Sequence, residues 1–126
     1  MSSIAGEDSP AVLIVEDNPV IRMDLVDRAE REGFCVYEAG TADHAIAILE
    51  AHRHIRLIFT DIEMPGSMDG LKLVAYVRRR WPPIKLMVTS GKVRCEITDL
   101  PEGGLFFPKP YNPAQISAAM RHLLAA

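Results

Sequence analysis

Leu57-Ile58-Phe59-Thr60-Asp61-Ile62-Glu63-Met64-Pro65 carries a short apolar run up to a single carboxylate, Asp61. Pro65, Gly66 and the pair Asp69-Gly70 follow, and these residues are typical of turns. A short apolar run bounded by turn residues predicts a buried strand. Asp61 then lies at the carboxyl end of the strand, where ligands bind in open α/β sheets. That position suits a capping or turn aspartate equally well. The choice between a ligand-binding and a structural role for Asp61 therefore depends on the rest of the chain.

The composition is that of one soluble domain. The chain has 126 residues, 48% of them hydrophobic and 25% charged, which are ordinary globular values. A net charge of −3 without a basic stripe argues against a general nucleic-acid binder. Arg78-Arg79-Arg80 is interpreted as the solvated end of a helix. Cys35 and Cys95 make no metal-binding spacing and suit a reducing compartment.

The N-terminal ten residues, 1–10, are polar and are predicted to form a tail ahead of a single domain at 11–126. They lack the apolar region of a signal peptide. No apolar run approaches the roughly 18 residues that a membrane span needs. We therefore expect a soluble cytoplasmic protein that does not contact membranes.

Strand-like and helix-like segments alternate along the chain. Asn18-Pro19 is an N-cap followed by proline in the first helical turn, and Gly33 marks the end of that helix. The predicted strands are Ala11 to Val15, Phe34 to Tyr37, the run that ends at Asp61, Ile84 to Val88, and Leu105 to Phe107. The predicted helices are Val20 to Glu32, one opening at Thr41, Gly70 to Trp81, and one from Asn112-Pro113 to about Leu124.

The helical pattern is weakest between the fourth and fifth strands. Lys92 to Leu100 predicts a fourth helix of about two turns that is short or irregular. In the helix before it, the spacing of apolar residues predicts that Leu71, Val74, Ala75 and Val77 face inward.

Five strands that alternate with helices predict an α/β fold, a single doubly wound five-stranded parallel sheet with helices on both faces. Right-handed crossovers bring the carboxyl ends of all strands to one edge. Several polar side chains should therefore meet there. They are Glu16, Asp17, Asp61, Thr89, Ser90 and Lys109.

Carboxylates crowded at one edge repel each other unless a cation joins them. Mg²⁺ prefers such hard oxygen ligands and binds them together with phosphate. An Asp beside the metal can act as a nucleophile toward a phosphoryl group. Lys109 would then offset the charge of the phosphate, and Thr89 would donate its hydroxyl.

The quoted segments resemble the receiver domain of response regulators in two-component signalling, over about residues 11 to 124. The motifs are Val15-Glu16-Asp17-Asn18, Asp61-Ile62-Glu63-Met64-Pro65, Asp69-Gly70, Val88-Thr89-Ser90 and Lys109-Pro110. The resemblance implies a flavodoxin-like fold of the stand-alone type and Asp61 as the phosphoacceptor. It implies that Mg²⁺ is held by Glu16, Asp17, Asp61 and the backbone carbonyl of Glu63. It also implies Thr89 as the switch hydroxyl, Lys109 as the phosphate-binding lysine and Phe106 as the switch aromatic.

Three features depart from the common pattern of that family. The loop between Met64 and Gly70 has one extra residue, so we expect it to be slightly wider. Phe106 stands where tyrosine is frequent, which removes a hydroxyl. Pro101 shortens the helix that usually belongs to the output face. The resemblance further predicts a cis Lys109-Pro110 bond.

The leading hypothesis is a signalling switch and not an enzyme, a phosphoacceptor that assists its own phosphorylation and dephosphorylation. A histidine kinase or a histidine phosphotransfer protein would be the donor, and a partner protein or a second copy of the chain would receive the signal. The alternatives are a pseudo-receiver that only binds, a phosphate sink, and an aspartate-nucleophile phosphatase. The phosphatases carry Asp-x-Asp after the first strand, whereas this chain has Glu16-Asp17.

Overall fold

A computed structural model of the chain describes residues 10–63, 70–91 and 103–125. Within these ranges the strands are β1 (Ala11–Val15), β2 (Cys35–Ala39), β3 (Ile55–Asp61), β4 (Lys85–Ser90) and β5 (Leu105–Pro108). The helices are α1 (Pro19–Arg31), α2 (Ala42–Ala51), α3 (Gly70–Arg80) and α4 (Pro113–Leu124). None of these helices has the length and apolar character required to cross a membrane.

The described strands form one parallel sheet in the order β2-β1-β3-β4-β5. This confirms the predicted fold class, and each predicted strand and helix start lies within two residues of the observed one. Residues 1–9 of the expected tail at 1–10, the wider loop at 64–69 and the irregular helix at 92–100 lie outside the described residues. The sheet places the carboxyl ends of β1, β3, β4 and β5 along one edge.

Local capping explains where the helices begin and end. The side-chain oxygen of Asn18 accepts hydrogen bonds from the backbone N–H groups of Val20 and Ile21, at 2.9 and 3.1 Å. Gly33 has a φ of +92°, a conformation that side chains with a Cβ disfavour. The chain can therefore turn directly from α1 into β2.

The helices cover both faces of the sheet. On one face α2 and α3 pack against alternate residues of the strands, and on the other face α1 and α4 pack against the intervening residues. The first set includes Ala45, Leu49, Leu73, Val77, Leu13 and Ile58. The second includes Leu25, Ala29, Ile116, Met120, Ile14 and Phe59.

The inward face of α3 differs in part from the prediction. Gly70, Leu73, Val74 and Val77 are buried, whereas Leu71 is only partly buried and Ala75 is exposed. Positions 70, 73, 74 and 77 follow the helical repeat of one apolar stripe, and Ala75 lies off that stripe. The prediction for Ala75 is therefore wrong, and Leu73 takes its place in the core.

Gly70 allows α3 to begin in direct contact with the end of β3. A Cβ at this position would lie 2.2 Å from the carbonyl oxygen of Asp61 and 2.7 Å from the Cα of Ile62. The Gly70 N–H also donates to the carbonyl of Ile62 at 3.0 Å. The close backbone approach therefore requires glycine.

Replacing Gly70 by alanine should destabilise the fold, because the added methyl group meets backbone atoms that cannot move aside independently. We expect Gly70→Ala to lower the free energy of unfolding by about 1–3 kcal/mol in urea denaturation. Gly40→Ala is the matched control, since the nearest atom to its added Cβ is the side-chain tip of Arg22 at 3.4 Å. Equal stability of the two variants would contradict the steric explanation.

Candidate functional site

An acidic cluster lies at the carboxyl edge of the sheet. Glu16 and Asp17 directly follow β1, and Asp61 ends β3. One carboxylate oxygen from each residue lies within 4.8 Å of the others. Glu16 and Asp61 are buried, with 1% and 2% of their surface exposed, whereas Asp17 is exposed. The structure thus brings together the three carboxylates that the sequence suggested as metal ligands.

The buried carboxylate of Glu16 is only partly hydrogen-bonded. Its Oε2 accepts a hydrogen bond from the backbone N–H of Asn18 at 3.0 Å. Its Oε1 is buried and has no hydrogen-bond partner among the described residues. Burial is the main cause that raises the pKa of the Glu16 carboxyl from 4.5 to about 7, and the neighbouring Asp17 and Asp61 contribute to this rise. A buried oxygen without a donor, in a set of hard oxygen ligands, fits a divalent cation such as Mg²⁺.

Both carboxylate oxygens of Asp61 accept hydrogen bonds. Oδ1 accepts the backbone N–H of Glu63 at 3.0 Å, and Oδ2 accepts Nζ of Lys109 at 2.5 Å. Burial alone would lower the pKa of the Lys109 ammonium, but the hydrogen bond and the charge of Asp61 outweigh that effect and raise it. Asp61 and Lys109 therefore form an ion pair in which the carboxylate is buried and the ammonium is partly exposed.

The backbone around Lys109 directs its side chain toward Asp61. Its N–H donates to the carbonyl of Ser90 at 3.0 Å, and its side chain passes over Gly91. The Lys109–Pro110 bond is cis, which confirms the prediction. The lysine thus reaches the acidic cluster from β5, two strands away from β3.

Thr89 lies beside Asp61 in the register of β3 and β4. Its hydroxyl donates its hydrogen bond to the carbonyl of Phe107 on β5 at 2.6 Å. Phe106 is partly buried, and its ring packs against the core on the side of α2 and α3. The structure therefore places both expected switch residues on neighbouring strands, with the hydroxyl bound to β5.

Sequence reasoning missed Arg22. Its Nη1 donates to the backbone carbonyl of Glu16 at 2.7 Å, and its Nε pairs with the carboxylate of Glu38 on β2 at 2.9 Å. Arg22 therefore ties the turn that carries Glu16 and Asp17 to β2. In the sequence it is indistinguishable from any other arginine on the surface of a helix, so no pattern could have identified it.

Two further contacts, made by Glu63 and Tyr111, lie beside the acidic cluster. For Glu63, the sequence suggested a role only for the backbone carbonyl, but its side-chain Oε1 accepts the N–H of Gly91 at 3.0 Å and links the segments that follow β3 and β4. Tyr111 packs edge-on against Phe59, with ring centroids 6.0 Å apart. Burial raises the pKa of the Tyr111 phenol to about 12, and the charges of Glu16 and Asp61 contribute. The phenol therefore stays neutral beside the acidic cluster.

Two curated proteins are similar to most of the chain. The chain is 31% identical over 120 residues to the sensor kinase CckA of Brucella abortus, covering 92% of this chain and 13% of that protein. It is 34% identical over 118 residues to the transcriptional activator protein PfeR of Pseudomonas aeruginosa, covering 92% of this chain and 38% of that protein. The chain thus spans less than half the length of these curated relatives.

A solved structure of a response regulator receiver protein from Sinorhizobium medicae has the same fold. The TM-score is 0.86 at 23% sequence identity, with 96% of this chain and 98% of that chain covered. The family model described as the response regulator receiver domain matches residues 12–121, which include every residue of the acidic cluster, Thr89 and Lys109. The chain therefore belongs to the receiver domains of two-component response regulators.

Proposed function

We propose that this chain is a phosphorylation-dependent signalling switch of the cytoplasm that accepts a phosphoryl group on Asp61. A histidine kinase or a histidine phosphotransfer protein is the donor, and the signal leaves through protein contacts. The single observation that carries this proposal is the buried Asp61 carboxylate, flanked on one side by Glu16 and Asp17 and on the other by Lys109. A nucleophile, an acidic metal-binding set and a cation thus meet at one point.

Glu16, Asp17, Asp61 and the backbone carbonyl of Glu63 would hold Mg²⁺. The metal would supply positive charge that neutralises phosphoryl oxygens. Arg22 keeps the backbone of Glu16 in place, and the unpaired Oε1 of Glu16 offers a ligand atom without loss of a protein hydrogen bond.

In the proposed transfer, an Asp61 oxygen attacks the phosphorus of a phosphohistidine. The new P–O bond forms as the P–N bond breaks, and the electron pair of the broken bond stays on the imidazole nitrogen. The backbone N–H of Glu63 and the ammonium of Lys109 orient the Asp61 carboxylate. Lys109 can then follow the negative charge from the carboxylate to the phosphoryl oxygens. The chain contributes positioning and charge, which is what phosphoryl transfer chiefly requires.

The surface beside the site suits the helix of a phosphodonor. Val20 and Met23 at the start of α1 are 74% and 68% exposed, although both are apolar. With Pro110 and Tyr111, Val20 borders a depression of about 630 Å³ that reaches Lys109. The donor histidine has to reach Asp61, so the donor surface around that histidine has to cover this depression. An amphipathic helix would bury the exposed apolar residues.

We predict that Asp61→Asn abolishes phosphoryl uptake from acetyl phosphate and Mg²⁺, because the amide keeps the shape of the side chain but is not a nucleophile. Intact-protein mass spectrometry should show the phosphoryl mass on the wild type and none on the variant. Asp43→Asn, on the surface of α2, is the control and should react like the wild type. A phosphoryl group found on Ser90 or on a histidine would contradict the assignment.

The raised pKa of Glu16 predicts that Mg²⁺ affinity increases with pH. Below about pH 7 the folded protein holds a proton on Glu16 that the metal has to displace, so affinity should rise by up to about tenfold per pH unit and level off above pH 7. Calorimetric titrations between pH 6 and 8 would measure this. Glu16→Gln should bind more weakly and show a flatter profile, whereas an unchanged slope in the variant would exclude Glu16 as the titrating group.

The raised pKa of Glu16 also makes the stability of the metal-free protein depend on pH. Between about pH 4.5 and about pH 7 the folded chain keeps a proton that the unfolded chain has lost. The contribution of Glu16 to stability is therefore lost as the pH rises through this window.

The proposed switch uses the hydrogen bond of Thr89. A phosphoryl group on Asp61 adds strong acceptor oxygens next to Thr89. The Thr89 hydroxyl would leave the carbonyl of Phe107 and donate to the phosphoryl group. Its movement frees space beside β4, and the partly buried ring of Phe106 would turn into that space. The outer surface of β5 would then differ between the two states.

We predict that the phosphoryl mimic beryllofluoride changes partner affinity or oligomeric state in the wild type but not in Thr89→Ala or Phe106→Ala. The reason is that a ligand shifts a two-state equilibrium only through differential affinity for the two states. Calorimetry and size-exclusion chromatography with Mg²⁺ would measure the change. Identical behaviour of the wild type with and without the mimic would favour a phosphate sink over a switch.

A further inference from the structure

A second cavity lies at the opposite edge of the sheet from Asp61. It has a volume of about 390 Å³ and is formed by the carboxyl ends of α2 and α3, the first residues of β3 and the residues just before β4. This volume is within the range of small-molecule binding sites, about 300–1,000 Å³. The cavity shares no residue with the acidic cluster or with the depression beside α1.

A bulge in β3 directs Arg56 out of the regular ladder. Ala11 of β1 pairs with Ile55, but the next residue, Val12, pairs with Leu57, so Arg56 is an extra residue. The same shift reverses the alternation of the strand, because Ile55 packs on the side of α2 and α3 and Leu57 on the other side. Bulges are uncommon in parallel pairs and often re-aim a side chain beside a functional site. Here the re-aimed residue lines the cavity.

The cavity is electropositive in a chain whose net charge is −3. Arg53, Arg56 and Arg80 line it against one carboxylate, Glu50. The carbonyl ends of α2 and α3 offset about one further positive charge, which still leaves a surplus. The side chains of Arg53 and Arg56 make no hydrogen bond or ion pair within the part of the chain that the structure describes. Two guanidinium groups are therefore available to an anion.

The third guanidinium group, that of Arg80, is held by neighbouring side chains at the side of the cavity. Arg80 pairs with Glu50 at 2.6 Å and donates to the hydroxyl of Tyr76 at 2.8 Å. It also lies 4.8 Å from the ring centre of Trp81, in the stacked arrangement that arginine makes with aromatic rings. Buried Ile55 and Ile84 add apolar surface. The cavity thus combines free guanidinium groups with flat and apolar walls.

We propose that this cavity binds a small organic phosphate that carries a planar ring, the chemical class of the mononucleotides. Arg53 and Arg56 bind the phosphate group, for which the fork of the guanidinium is well suited. The ring lies against Trp81 and the apolar wall. The site is independent of Asp61 and of phosphorylation.

Trp81 is the only tryptophan of the chain, so its fluorescence reports on this cavity. The wild type, in EDTA to exclude metal-mediated binding, is titrated with adenosine 5′-monophosphate, adenosine and inorganic phosphate. We expect saturable binding of the monophosphate, with adenosine and inorganic phosphate each at least about tenfold weaker. Arg56→Gln and Arg53→Gln should each lower the affinity for the monophosphate by about tenfold. Arg31→Gln, an exposed arginine of α1 paired with Asp27, is the matched control and should bind like the wild type.

Three outcomes of these titrations would overturn the proposal. They are no saturable change up to about 10 mM monophosphate, equal binding by the Arg56→Gln and Arg31→Gln variants, and inorganic phosphate binding as tightly as the monophosphate. Asp61→Asn should retain the binding, since the two sites lie at opposite edges of the sheet. Loss of binding in that variant would place the ligand at the acidic cluster and refute this site.

Discussion

The ion pair between Asp61 and Lys109 is the contact on which the rest of the site depends. A carboxylate with only 2% of its surface exposed is costly unless it is paired and hydrogen-bonded. Asp61 receives one partner from its own chain segment, the N–H of Glu63, and the other from Lys109, which lies 48 residues away. The pair therefore needs β3, β4 and β5 in the correct order. In the proposed phosphoryl transfer, the same lysine that stabilises the buried carboxylate would accompany the phosphoryl group.

The buried carboxylate of Glu16, on the acidic side of the site, has fewer stabilising partners than that of Asp61. Glu16 is as buried as Asp61, but one of its oxygens has no partner among the described residues and its pKa is raised to about 7. Arg22 does not neutralise this carboxyl, because it binds the backbone carbonyl of Glu16 and the side chain of Glu38. The fold thus fixes the position of Glu16 without pairing its carboxylate with a cation. Such an arrangement suits a site whose charge is completed by a bound cation.

The two edges of the sheet differ in charge for a topological reason. Parallel strands put all turns that follow a strand at one edge, and the helix ends at the other. The acidic residues follow strands, whereas Arg53 and Arg80 lie at or just beyond helix ends, where cations are favoured by the helix dipole. The two electrically opposite sites are therefore separated by the length of the sheet. Under the two proposals, this separation would keep the metal site and the anion cavity independent.

The sequence by itself determined the order of the elements, the class of fold and the residues at the carboxyl edge. These follow from local information, because apolar runs, caps and turn residues define strands and helices, and parallel strands bring their ends together. Only the tertiary structure decided which groups those side chains contact. The hydroxyl of Thr89 binds β5 rather than Asp61, Arg22 joins α1 to β2, and the bulge at Arg56 breaks the alternation of β3. Such contacts depend on distances of a few ångströms between segments far apart in the chain, and no periodicity in the sequence encodes those distances.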